Sequence, residues 1–146
     1  MQKHCCSWIR PIWWLPMLLA LASCTGQQDA SQIRRAESAY LQGLEAEQSG
    51  DYAGARELYR QAVERGGLQV DEYVECHVRL ALCEARLEGY DDAHRALDAV
   101  AEGASDLARV HAARAFVFRR QQKPDEAQAE EQRARERDPR VPLIKQ

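Results

Sequence analysis

One short motif occurs three times in this chain and constrains its architecture more tightly than any other feature. Gly50-Asp51-Tyr52-Ala53-Gly54-Ala55 comes back as Gly89-Tyr90-Asp91-Asp92-Ala93, and again as Lys123-Pro124-Asp125-Glu126-Ala127. Ala93 and Ala127 are 34 residues apart; Ala55 and Ala93 are 38 apart, the same period with four residues inserted. Aligned on these alanines, the repeats run over 36–69, 74–107 and 108–141, with 70–73 as the insertion. Each copy also holds a small residue in its first half, at Gly43, Ala81 and Ala115. A small or slender residue follows seven positions after each aligned alanine, at Ala62, Val100 and Ala134. Such periodicity marks supersecondary units that cannot bury an apolar face alone and so stack on one another. Helices are predicted near 33–49, 52–65, 72–87, 90–102, 105–121 and 124–137. Gly66-Gly67 closes the second, Gly103 lies beyond the fourth, and Pro124 suits a first helical position.

This pattern resembles the tetratricopeptide repeat, a stacked helix–turn–helix. The resemblance implies an all-α fold: a right-handed superhelical stack of three such repeats over residues 33–141. It also implies that the small positions lie where the two helices of a repeat cross closely. Asp138-Pro139 gives the third copy the ending common in that family. Two departures bear on packing: Arg114 stands where the family usually has leucine, and Glu84 where it usually has an aromatic. Both are expected to be half-exposed or to pair with each other across neighbouring repeats. The last helix lacks large apolar side chains between Ala127 and Ala134. In the tail that follows, ending in 142–146, Val141-Pro142-Leu143-Ile144 is expected to fold back over the last repeat, and otherwise to meet a partner.

The start of the chain carries a different message. Lys3 and Arg10 precede an apolar run from Ile12 to Ala22. That run is far shorter than the roughly 20 residues that span a bilayer as a helix, and it reads as a secretory signal peptide. Its end, Leu21-Ala22-Ser23-Cys24, resembles the lipobox of bacterial lipoproteins. The resemblance implies removal of residues 1–23, acylation of Cys24 on its sulfur and new amino terminus, and a polar tether over 24–32. Thr25, in place of a retaining aspartate, implies the periplasmic face of an outer membrane, with the inner membrane as the alternative. The covalent lipid is the only non-protein group expected; no cofactor and no metal are.

Loss of Lys3 and Arg10 with residues 1–23 leaves 18 basic against 23 acidic residues, a net charge of −5. That sign disfavours nucleic acid and anionic lipid as partners. Cys76 and Cys83 are then the cysteines left in the fold. Seven residues along one helix separates them by about 10.5 Å, beyond the roughly 4.4–6.8 Å of a disulfide. Buried free thiols are expected, not a metal site with His77. His77 and His111, 34 apart, are placed to approach one another on adjacent first helices, each filling space inside its own repeat.

No phosphate loop, nucleophile elbow or His-Glu-x-x-His pair is present, and the chain is not expected to be an enzyme. The resemblance instead implies a protein- or peptide-binding groove lined by first helices. Position by position, that groove would hold Tyr40 and Leu44, then Val78, Leu82 and Arg86, then Phe116, Arg119 and Arg120. An apolar floor with arginines at one end suits a peptide with apolar anchors and a carboxylate. The asparagines by which chaperone-binding members clamp a carboxylate are missing. A membrane-held adaptor for assembling an envelope machine, similar in plan to pilotin lipoproteins of pili and secretion channels, is the expected role. The alternative is a non-enzymatic regulator docking a cell-wall synthase or hydrolase. The oligomeric state is left open by the sequence.

Overall fold

The computed structural model describes residues 25–144, and every regular element among them is an α-helix. The helices are α1 (Thr25–Gln48), α2 (Tyr52–Arg65), α3 (Val70–Arg86), α4 (Tyr90–Ala101), α5 (Leu107–Arg120) and α6 (Pro124–Arg137). Each packs on the next, and α3 also packs on α5. The result is an all-α fold compatible with helical repeats. Leu21 to Cys24 lie outside the described residues.

Five helices fall within two residues of their expected bounds; α1 starts at Thr25 instead of near 33. The segment read as a polar tether is thus continuous with the first helix. Its physical reason is in the sequence: Gln27 to Gln32 contains no glycine or proline, so nothing halts a helix propagating through it.

The three turns inside the repeats are built alike. Gly50, Glu88 and Gln122 occupy the same repeat position, and all have left-handed backbones, with φ of 81°, 64° and 59°. Around each, the same two hydrogen bonds close the helix end. Gly50 N–H donates to the Glu47 carbonyl and Asp51 N–H to that of Ala46. Glu88 and Gly89 repeat this on Ala85 and Glu84, as Gln122 and Lys123 do on Arg119 and Phe118. Such a turn satisfies carbonyls that a helix end leaves unpaired. The next helix is then started by local chemistry, with Asp51 accepting from Gly54 N–H at 2.9 Å and Pro124 at the head of α6.

Burial follows the repeat. Ala55, Ala62, Ala81, Ala93, Ala115 and Ala134 are fully buried, as are Tyr59 and Leu97. Gly43 faces the Tyr59 ring so closely that an added Cβ would lie 2.6 Å from Cε1. Cys76 and Cys83 are buried free thiols, and burial pushes both pKa values up to about 12. The expected pairing of Glu84 with Arg114 does not form. Glu84 is buried and receives Arg60 at 2.8 Å, with Arg56 at 3.8 Å, while Arg114 pairs with Asp98. Each reaches back to the second helix of the preceding unit, where a partner of opposite charge is nearer than one on its own row.

Candidate binding cleft

The odd-numbered helices line two clefts that run into each other. One, of about 560 Å³, lies between Tyr40 of α1, the start of α3 and the start of α5. The other, of about 480 Å³, has Glu47 of α1 on one side, with Val78, Leu82 and Arg86 of α3 and Arg109 of α5. Arg79, Asp106 and Arg109 border both clefts, and no residue of α2, α4 or α6 lines either. The far wall of the second is the chain's own tail, Val141 to Ile144.

A ladder of charge ties α1, α3 and α5 together along this surface. Tyr59 donates its hydroxyl to Glu47 at 2.8 Å, and Arg79 Nη1 donates to the same carboxylate oxygen at 2.9 Å. Arg79 Nε and Arg109 Nη2 both donate to Glu75 Oε1 at 2.6 Å. Burial alone would lower the Arg79 pKa, but the bond to Glu47 and the charge of Glu75 outweigh it and raise the pKa overall. The Tyr59 pKa is raised, first by burial and then by Glu47. Glu75 and Arg109 are 34 apart, and Ser105 also donates to Asp71, 34 before it, at 3.0 Å. Adjacent first helices therefore lie in one-repeat register. Sequence reasoning passed over this ladder, although the Glu75–Arg79 spacing of four and the Glu75–Arg109 spacing of one period were its available signals.

The residues expected in the groove divide into two groups. Val78 and Leu82 form the floor of the second cleft, both nearly buried, and Tyr40 borders the first. Arg86 reaches the second cleft with its guanidinium between two rings, 4.8 Å from the Tyr52 centroid and 4.9 Å from that of Phe116. Among the described residues, no carboxylate lies within ion-pair distance of it. Leu44 is half-buried against the core and lines neither cleft. Phe116 is 1% exposed, so it offers a partner no surface and serves as the underside of the Arg86 stack. Arg119 is already engaged, with Glu131 and with the Ile144 carbonyl. Arg120 is exposed away from both clefts, and its own carbonyl accepts from the Tyr90 hydroxyl at 3.0 Å. One helical turn brings Phe116, Arg119 and Arg120 together in sequence, but α6 and the tail already cover part of that turn.

The two histidines do not meet. His77 Nδ1 lies 3.1 Å from the Ala96 carbonyl and must carry the proton that donates to it. His111 Nδ1 lies 2.6 Å from Glu130. Ala96 and Glu130 hold equivalent repeat positions, so each histidine bridges the two helices of its own unit. Burial lowers the His77 pKa, and among the described residues its Nε2 has no hydrogen-bond partner. Among the described residues, no group of three or more His, Cys, Asp or Glu side chains could hold a metal ion, and no helix is long and apolar enough to cross a membrane. Compared with protein-family models, curated proteins and solved structures, the chain matches none.

Proposed function

We propose that this chain is a tetratricopeptide-type lipoprotein, lipid-anchored through Cys24 at the periplasmic face of the outer membrane. Its three units form a right-handed superhelical stack whose first helices grip an extended segment of a partner protein. The bound partner is a component of an envelope machine, a pilus or secretion system, held at the membrane while it assembles. The protein does no chemistry of its own in this reading.

The observation that supports it best is the second cleft. Val78 and Leu82 supply an apolar floor, and Arg86 waits beside it, stiffened between two rings and without a carboxylate partner. Held cations of this kind bind carboxylate well, because ordering has already been imposed on the side chain. The test is capture from detergent-solubilised envelopes by the anchored protein and by Arg86→Glu, with equal melting temperatures as the control. Recovery of pilus or secretion subunits, lost in Arg86→Glu, is the expected result. Murein synthases or hydrolases instead would favour the regulator. Equal recovery by both chains would move the contact elsewhere.

A further inference from the structure

The tail that walls the second cleft is chemically what such a cleft would bind. We propose that Val141-Pro142-Leu143-Ile144 is a built-in occupant of the partner site, displaced by a partner segment of its own kind: extended, apolar and proline-containing. This rests on the peptide-binding reading above and deepens it by naming the ligand chemistry.

Three observations carry the inference. The first is placement. Asp138 turns the chain at the end of α6, its side chain accepting from Arg140 N–H at 2.9 Å and its carbonyl from Val141 N–H at 3.1 Å. The next residues run back along the cleft without regular structure, opposite Val78, Leu82 and Arg86. Ile144 packs on the core, and Val141 and Leu143 are half-buried. Pro142 lacks an N–H and holds the run extended. The second is the receiving group: Arg119 Nη2 donates to the Ile144 carbonyl. Arg119 is held independently by Glu131 through its other nitrogen, so it stays aimed when the tail leaves. The third is how lightly the tail is held. Beyond its turn, that bond is the one described hydrogen bond tying it to the helices. A competing segment must replace one directed bond and some apolar contact, while Arg86 offers it a charge contact the described tail does not use.

An internal occupant lowers apparent affinity by the fraction of molecules whose cleft is open. A short connection keeps its effective concentration near millimolar. The probe is a fluorescent peptide, Asp-Pro-Arg-Val-Pro-Leu-Ile, titrated against the full detergent-solubilised chain. Wild type should bind it weakly. Leu143→Ser with Ile144→Ser, which removes the tail's apolar anchors without adding charge beside Arg86, should bind about tenfold more tightly or better. Arg86→Glu added to that background should return binding to the wild-type level. Unchanged affinity on tail release would overturn the proposal, as would a fall in melting temperature without tighter binding, since the tail would then be an end cap. A wild-type dimer dissolved by the tail substitutions would overturn it in favour of tails exchanged between copies. If release tightens peptide binding but the released chain recovers no envelope protein, the internal occupant stands and the adaptor reading fails.

Discussion

Tyr59 and Gly43 show how one side chain dictates another. Tyr59 is fully buried, and its hydroxyl reaches Glu47 on the first helix, so the ring must lie across α1 where only a residue without Cβ fits. The second unit solves the same contact with Leu97 and Ala81 at the equivalent positions. Gly43→Ala should therefore be destabilising: overpacking costs about 1–3 kcal/mol, against a helix-propensity gain of about 1 kcal/mol. Adding Tyr59→Leu to Gly43→Ala should cost less than the sum of the two single changes, because it rebuilds the second unit's pairing. Denaturant melts of the four chains measure the coupling; strict additivity would mean the two positions do not meet. The turn residues make a separate prediction. Glu88 and Gln122 hold left-handed conformations that glycine, present at Gly50, adopts without strain. Glu88→Gly and Gln122→Gly should each stabilise the fold by up to about 1 kcal/mol, read as a raised denaturation midpoint. Destabilisation in both would show that their side chains, not their backbones, hold the turns.

Among the elements, legibility varied with the kind of signal. Helix existence and most boundaries were readable because alanine periodicity, glycines and Pro124 all act within a few residues. The start of α1 was not, since a polar segment with adequate helix propensity looks the same as a tether until something packs on it. Val78 and Leu82 came only through the family resemblance, carried over position by position. What occupies Arg119 depends on α6 and the tail, and no local pattern encodes that covering. The charge ladder lies between these extremes, and its centre is Arg79, among the described residues the one side chain bonded to both Glu47 and Glu75. Arg79→Met keeps the aliphatic stem but leaves two half-buried carboxylates without it. Breaking a fully buried pair costs about 3–5 kcal/mol; with the Arg79 side chain 29% exposed, about 1–2 kcal/mol is expected after solvent screening. Restoring the loss with Glu47→Gln in the Arg79→Met chain would confirm that the uncompensated carboxylate is the cause. A loss that Glu47→Gln leaves unchanged would point to the packing of the stem instead.

For the molecule as a whole, the proposed lipid anchor makes the sharpest prediction. Among the described residues no helix is long and apolar enough to cross a membrane, and the chain without residues 1–23 would carry −5, a sign repelled by anionic headgroups. In the proposed reading, covalent lipid supplies the attraction to the membrane. Each buried methylene contributes about 0.8 kcal/mol, so one acyl chain gives marginal binding and two or more give a stable anchor. Cys24 is the residue on which such chains would sit, directly ahead of α1, which would carry the cleft away from the bilayer along a continuous helix. Replacing Cys24 with alanine should therefore remove metabolic acyl labelling entirely and leave a chain with the mass of the uncleaved precursor, or a cleaved chain in the aqueous fraction. The helical fold should be untouched, with the same melting temperature and the same peptide affinity in the tail-released background. Acyl label retained by the Cys24→Ala chain would refute the anchor. Loss of label together with loss of peptide binding would show that the anchor and the cleft are not independent parts of the molecule.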